Sequence, residues 1–365
     1  MVLAPPAPPP DLLAVPAHRM SAIRALLPVL TAARRVALST HINADGDGCG
    51  SEAGLARILA GVGIEARIVN PTPWPGVFDF LLGPDLRDET ARGASALADI
   101  DVLAVLDIGD VRRLGALTDT VRALTVPKLV IDHHVAGDEP PGPTIFSDTA
   151  ACATGELVFD VALAAGWPIS RDAATALYTA LLTDTGGFRF SNTSPRCHAI
   201  AGYLLSLGID PEEMYRRVYA SVSIGRLHLL RDALTTLEVD PEHAIAWISV
   251  PAGAVERYGL KSEDLDGIVE HPRSITGTRM AIFFRDLGHG KVKVSFRSTG
   301  GVDVNQFARQ FGGGGHAKAA GALVPGSLEH VRAQVIESAR VYVGRVPLTG
   351  SPEAPARRSD AGPAR

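Results

Sequence analysis

Cysteine is scarce in this sequence. Its three residues, Cys49, Cys152 and Cys197, are odd in number and far apart, which argues against a disulfide framework and for a reducing cytoplasm. None belongs to a CxxC pair, so a structural zinc site is not expected. Long apolar runs are missing as well: none approaches the roughly 18 residues that span a bilayer, so no membrane partner is expected. Near the N-terminus no basic stretch leads into a long apolar core. Pro5, Pro6, Pro8, Pro9 and Pro10 stand there instead, so no signal peptide is expected. Residues 1–18 read as a disordered Pro-rich tail, and residues 347–365, with Pro352, Pro355 and Pro363, read the same way.

What is present is a chain of 365 residues, 46% hydrophobic and 21% charged. That is enough for two globular domains with substantial cores. The net charge of −5 hides an asymmetry. His271 to Lys318 carries eight Lys/Arg against two acids, a balance of +6, which leaves −11 for the rest. A basic segment inside an acidic protein implies a local anion site and excludes a long duplex nucleic acid as partner.

The first half alternates short apolar runs with helical stretches. Val36 to Thr40, Ala66 to Val69, Val102 to Leu106 and Lys128 to Ile131 read as strands; Ser51 to Val62, Thr154 to Ala165 and Asp172 to Thr183 read as helices. Continuous apolar strands between helices mean parallel strands buried on both faces. The expected fold is therefore an α/β doubly wound parallel sheet over 19–210, with ligands beyond the carboxyl ends of its strands. One long amphipathic helix over 211–231 would link it to a smaller α/β domain over 232–346. In that second domain Ala244 to Val250, Thr278 to Arg285 and Lys291 to Arg297 read as strands, and Val304 to Phe311 and Leu328 to Tyr342 as helices.

Four segments of the first domain carry acids or histidines where an element ends. His41, Asp45 and Asp47 follow the first strand, with Gly46, Gly48 and Gly50 expected to permit a tight turn; helix capping is the plainer use of such an Asp. Asp107 ends the Val102–Leu106 strand, and Asp132-His133-His134 ends the Lys128–Ile131 strand. Asp184 closes an apolar helix, where its charge opposes the helix dipole and calls for a cation. Carboxylates gathered at one sheet edge repel and raise each other's pKa, and divalent ions remove that repulsion. Oxygen and imidazole donors without thiolate favour Mn²⁺, or Mg²⁺, and more than four ligands suggest two ions.

In the second domain, four glycines run from Gly312 to Gly315 into His316. Exposed backbone N–H groups there would form an anion-binding nest, and Arg297, ending a strand, suits a bidentate phosphate contact. Arg189, just after Asp184, could also face a substrate. His18, His228, His243 and His330 have no chemical context and read as surface residues.

The motif order His-x-x-x-Asp-x-Asp-x-x-Gly-Ser, Asp107, Asp132-His133-His134 and Asp184 resembles the DHH phosphoesterase superfamily over about residues 20–215. Ala44 departs from it, since many members carry Pro there. The Gly-rich loop ending in His316, with Arg297, resembles the DHHA1 domain. The resemblance implies that His41, Asp45 and Asp107 hold a first metal, and that Asp47, Asp107, His133 and Asp184 hold a second, with Asp107 bridging. It implies that His134 faces the phosphate, that Asp132 supports a neighbouring His, and that a bridging water is the nucleophile. Arg297, Gly313, Gly314, Gly315 and His316 would contact substrate phosphate or nucleotide, across a cleft between the domains. Within the superfamily the chain resembles the nano-RNase and pAp phosphatase group. This implies a cytoplasmic, Mn²⁺-dependent enzyme acting on short RNA oligonucleotides, on linear dinucleotides such as pApA and on the 3′-phosphate of pAp, with cyclic di-AMP a further candidate; it also allows a homodimer. The alternatives are a RecJ-like single-strand DNA exonuclease and a non-catalytic nucleotide-binding sensor.

Overall fold

The structure is a computed structural model that describes residues 11–265 and 267–347. It divides into two compact units, between Ser221 and Val222. In the first unit the chain runs through α1 (Met20–Ala32), β1 (Arg35–Ser39), α2 (Gly46–Gly61), β2 (Glu65–Ile68), β3 (Arg87–Asp88), β4 (Val102–Leu106), α3 (Thr118–Ala123), β5 (Lys128–Asp132), β6 (Thr144–Ser147), α4 (Thr154–Ala165), α5 (Arg171–Asp184), α6 (Pro195–Ser206) and α7 (Pro211–Tyr219). The six strands form one parallel sheet in the order β3-β2-β1-β4-β5-β6. This is the expected doubly wound fold. Val36 and Leu38 face a core shared with α1, α2, α4, α5 and α6, while Ala37, Leu103 and Val105 face a second core on the opposite side. The strand order reverses between β1 and β4, so the loops after these two strands flank the crevice where such sheets bind ligands.

The second unit comprises α8 (Ile224–Thr235), β7 (Glu238–Asp240), β8 (Ile245–Val250), α9 (Ala254–Arg257), α10 (Glu270–Arg273), β9 (Met280–Asp286), β10 (Lys291–Ser298), α11 (Val304–Arg309), β11 (Gly314–His316), β12 (Ala319–Pro325) and α12 (Leu328–Gly344). Its sheet runs β11-β12-β10-β9-β8-β7 and is antiparallel except for the β8–β9 pair. Along β10, Val292, Val294 and Phe296 are buried while Lys291 and Lys293 are exposed, the alternation a half-covered strand requires. No helix among the described residues is long and apolar enough to cross a membrane.

Two expectations need correction. The single helix over 211–231 is two helices, α7 and α8. The helical path stops at Ala220, and Ser223 restarts it by accepting a hydrogen bond from the Arg226 amide. The tail expected over 1–18 is placed from Asp11 onward. Arg196 donates to the carbonyls of Leu12 and Ala14, and Arg19 is buried among Asp148, Glu156 and Asp160 at 2.6–2.8 Å. His18, half of that same anchor, pairs with Asp148 at 2.8 Å. Residues 1–10 and 348–365 lie outside the described residues.

The glycines after β1 also act differently from expectation. Gly46, Gly48 and Gly50 lie inside α2, with ordinary negative φ. A Cβ on Gly46 would strike Thr183, one on Gly50 the Ala176 carbonyl at 2.5 Å, and one on Gly54 Leu177. Spaced four apart, these glycines let α2 lie directly against α5. Their value is close approach, not turn flexibility.

Glu52, on α2, is fully buried and accepts from Asn70 Nδ2 at 2.8 Å. Burial pushes its carboxyl up from 4.5 to about 8, against the help of the Asn70 hydrogen bond.

Gly50→Ala should destabilise the protein by about 1–3 kcal/mol, because the added methyl meets backbone. Gly202→Ala, on α6 with nothing within 4 Å of its Cβ position, should stabilise it by about 0.5–1 kcal/mol. Denaturant midpoints decide both signs. The raised Glu52 pKa means that the folded state holds the extra proton, so this group's contribution is full below about 4.5 and is lost as pH rises through about 8. Glu52→Gln should therefore flatten the decline of stability across that window; an unchanged pH profile of unfolding would refute the assignment.

Candidate metal centre

The ends of β1, β4, β5 and α5 and the start of α2 deliver one polar cluster. The loop after β1 carries His41, and α2 opens with Asp45 and Asp47. Asp107 follows β4, Asp132, His133 and His134 end β5, and Asp184 ends α5. Asp47, Asp107 and Asp132 are buried to 1% exposure, and His41 to 5%.

Asp107 sits at the centre. Its Oδ2 lies 3.5 Å from His41 Nε2, while its Oδ1 lies 3.7 Å from His133 Nε2 and 3.5 Å from His134 Nδ1. Its backbone φ is +63°, a region that non-glycine residues rarely adopt and that recurs at functional sites. Thr154 Oγ1 donates to the same Oδ1 at 2.9 Å.

Three groups of potential ligands result: His41, Asp45 and Asp107; Asp107, His133 and His134; and Asp47, His133 and Asp184, each with its donor atoms within 4.8 Å of one another. Asp107 thus presents one oxygen toward His41 and the other toward His133. The imidazoles are oriented from behind. His41 Nδ1 bonds the Ile42 carbonyl at 2.9 Å and His133 Nδ1 the Ala151 carbonyl at 3.3 Å. A carbonyl only accepts, so each Nδ1 carries a proton and each Nε2 points inward, where a cation can take the place of a second proton. Both Nε2 atoms are buried without a hydrogen-bond partner, although carboxylate oxygens stand 3.5–3.8 Å away. That spacing is too long for hydrogen bonds and fits ligands arranged around a cation. Two orphaned imidazole nitrogens facing four carboxylates are a donor set that suits divalent metal, with no thiolate among it.

The electrostatics agree. Burial, then the charges of Asp107, Asp184 and Asp45, pushes the Asp47 carboxyl well above its usual range. Asp184 rises to about 6 through burial and the same neighbours, offset in part by His133. Burial lowers the basicity of His41, but the carboxylates of Asp107 and Asp45 outweigh it and hold the ring near 10. A site that raises acids and bases together has a surplus of negative charge.

Backbone groups secure the carboxylates. Asp45 Oδ1 caps α2 by accepting from Asp47 N and Gly48 N at 3.0 and 3.1 Å, while its Oδ2 faces His41 at 3.8 Å. Capping and site membership are thus one residue's two oxygens. Asp47 accepts from Ser51 Oγ and from the first amides of α4, Thr154 N at 2.6 Å and Gly155 N at 3.0 Å, a helix N-terminus satisfied by a carboxylate from another helix. Asp132 Oδ1 accepts from His134 N and from His134 Nδ1 at 2.8 Å, which fixes that ring. Asn192 Nδ2 donates to Asp184 at 3.2 Å. Thr154 and Asn192 have no place in the sequence reading. The only trace of Thr154 is its position opening the next helix, twenty residues after His134.

Arg189, five residues after Asp184, donates from Nε to the Gly186 carbonyl at 2.6 Å. In the second unit, Arg297 on β10 and His316 on β11 lie in one row of the sheet on either side of Ala319. Arg297 pairs with Glu270 at 3.0 Å. The open nest expected of the glycines is corrected at three amides: Gly312 N already donates to Arg309 O, Gly313 N to Ala308 O and Gly315 N to Asn305 Oδ1. Glycine is required there because a Cβ on Gly313 would strike the Gly321 carbonyl, and because Gly315 has φ +148°.

Residues 35–181 match the DHH family, N-terminal domain, and residues 248–341 the DHHA1 domain. The chain is 32% identical over 311 residues to the bifunctional oligoribonuclease and PAP phosphatase NrnA of Thermus thermophilus, covering 84% of this chain and 90% of that one. It is 28% identical to the NrnA of Bacillus subtilis, over 79% of this chain and 89% of that one. Among solved structures, an exopolyphosphatase-related protein from Bacteroides fragilis superposes with a TM-score of 0.82 at 28% identity, over 89% of this chain and 98% of that one. With both domains matched in order and a 32% identical relative covered along most of its length, the chain belongs to the DHH/DHHA1 phosphoesterase superfamily, in its NrnA-like group.

Proposed function

We propose that this chain is a two-metal phosphoesterase of short nucleotides. Its substrates would be short RNA oligonucleotides, linear dinucleotides such as pApA, and the 3′-phosphate of pAp, with cyclic di-AMP a further candidate. Asp107 carries this reading, with one oxygen toward each of two groups that both contain an orphaned imidazole. Relatives named as bifunctional oligoribonuclease and PAP phosphatase support the substrate classes, and three free, buried cysteines accord with a cytoplasmic location.

His41, Asp45 and Asp107 would hold one ion, and Asp47, Asp107, His133 and Asp184 the other, Mn²⁺ before Mg²⁺ on the mixed imidazole and carboxylate set. When bound, such a pair supplies a water activated near neutral pH and neutralises phosphoryl charge. The protein's own groups do the remainder. Asp47 is pinned by the α4 amides, and Asp107 by Thr154, so neither carboxylate reorganises during the reaction. His134, tethered through Nδ1 to Asp132, contacts the phosphate or passes a proton through its other ring nitrogen. Arg297 and the Gly314–His316 strand take the remaining substrate phosphate, Arg297 by exchanging Glu270 for a stronger anion.

Asp107→Asn keeps a side chain tolerant of positive φ and removes one repelling charge. Turnover should fall by at least about 10²-fold, the loss expected when one fixed electrostatic group is deleted. The melting temperature of chelator-treated protein should hold or rise, and the gain on adding Mn²⁺ should disappear. A variant that retains its Mn²⁺-dependent turnover would sink the central role of Asp107. Substrate length is the second check. With Mn²⁺, rates on pAp and on RNA of two to a few nucleotides should exceed those on long single-stranded DNA; a rate that climbs with chain length would instead favour the RecJ-like reading.

A further inference from the structure

Apart from the ligand cluster, the first unit holds a cavity of about 330 Å³. It is formed beyond the carboxyl end of β2, and Asn70, Thr72, Trp74, Asp88, Thr90 and Leu117 line it along with small apolar residues. None of these residues belongs to the ligand groups. The volume falls at the small end of ligand pockets, about 300–1,000 Å³, which suits one nucleoside and not an oligonucleotide.

The lining selects the chemistry. Trp74, Leu117, Pro71 and Pro73 offer flat apolar surface, and a flat π-system stacks on such surface without regard to charge. Asp88 is the one ionisable residue among the lining, and no lysine or arginine joins it there. A phosphate would be repelled. A neutral ring bearing adjacent N–H groups would be held, because a carboxylate can accept two of them side by side. Asp88 Oδ1 already accepts from Thr90 N at 3.0 Å, and that bond fixes the carboxylate's orientation. The indole Nε1 of Trp74, a residue of this lining, is buried with no hydrogen-bond partner, an unsatisfied donor beside the cavity.

The pocket is also wired to the metal centre. Asn70 Oδ1 accepts from Thr40 N at 3.0 Å, and Thr72 Oγ1 accepts from Asn43 N at 2.8 Å. Two pocket residues thus hold the backbone on both sides of His41. Asn70 is itself fixed through Nδ2 by the buried Glu52. Asn43 has φ +54°, so this loop is held in a backbone conformation that depends on its supports.

We propose that this cavity is a purine-nucleoside site, selective for a guanine-like edge through Asp88, and coupled to His41 through Asn70 and Thr72. The ligand is either a free nucleoside acting as effector or the terminal nucleoside of a bound oligonucleotide; the second source rests on the phosphoesterase reading above, whereas the binding itself does not.

Nucleosides carry no phosphoester to hydrolyse, so binding is measurable by calorimetry on the full-length protein without turnover. Guanosine should bind saturably and more tightly than adenosine, cytidine or uridine. Asp88→Asn retains an acceptor for Thr90 N, and should weaken guanosine by about tenfold or more while sparing adenosine. Trp74→Phe should weaken both purines, with unfolding midpoints of both variants near that of the parent. If Asp88→Asn raises KM for guanine-containing dinucleotides at constant kcat, the pocket holds a substrate nucleoside. If that KM is unmoved and added guanosine changes kcat in the parent but not in Asp88→Asn, the pocket holds an effector. Guanosine binding in a protein that hydrolyses no phosphoester would overturn the proposed function and leave the pocket assignment standing. No saturable binding at millimolar guanosine, or binding that neither substitution alters, overturns the assignment.

Discussion

Five carboxylates gathered at the switch point of the first sheet repel one another. Asp45, Asp47, Asp107, Asp132 and Asp184 converge on one sheet edge. Left alone, such a cluster would protonate or spread apart. The fold prevents spreading by tying each carboxylate to a group that does not move. Asp47 takes the first amides of α4, Asp107 the Thr154 hydroxyl, Asp45 the opening of α2, and Asp132 the His134 ring. The charge is thereby held ready for a cation, and the backbone strain at Asp107 is a further cost accepted at the same place.

Holding the acids close demands that their helices be close. Asp45 and Asp47 start α2, and Asp184 ends α5, so the separation of the two helices sets the size of the site. Gly46, Gly50 and Gly54 along α2 leave room for α5, since a Cβ at each would strike Thr183, Ala176 or Leu177. Packing and chemistry therefore meet in the same sequence motif: the residues between the ligands are small because the ligands must converge. The buried Arg19, Arg196, Glu156 and Asp160 network then fixes α1, α4 and α6 behind the site. Breaking such a network leaves uncompensated buried charge.

Much of this is legible without coordinates. The strands after which His41, Asp107 and Asp132 stand are continuous apolar runs, and the structure gives them nearly the anticipated bounds. Hydrophobic periodicity is a local property, so it survives in the sequence. Where reading fails, the deciding contact is distant. The helix expected over 211–231 breaks at a Ser223 cap whose strength periodicity does not reveal. The order of residues 11–18 comes from Arg196 and Asp148, more than a hundred positions away. The glycines of the second unit suggested an open nest, but the approach of β12 and the side chain of Asn305 claim part of it.

Covalent order and hydrophobic pattern already attach acids and imidazoles to strand ends, and the order of those motifs is what resembles the DHH phosphoesterases. Only the tertiary structure decided how those donors are shared. It gave each Asp107 oxygen its own partner, turned the His41 and His133 Nε2 atoms inward by bonding their Nδ1 atoms to carbonyls, and recruited Thr154 and Asn192. It also opened a cavity whose Asn70 and Thr72 bond the backbone flanking His41, from residues with no common motif. The physical reason is the same in each case: ligand geometry depends on which atoms face one another across a folded core, and no local pattern in a chain records that.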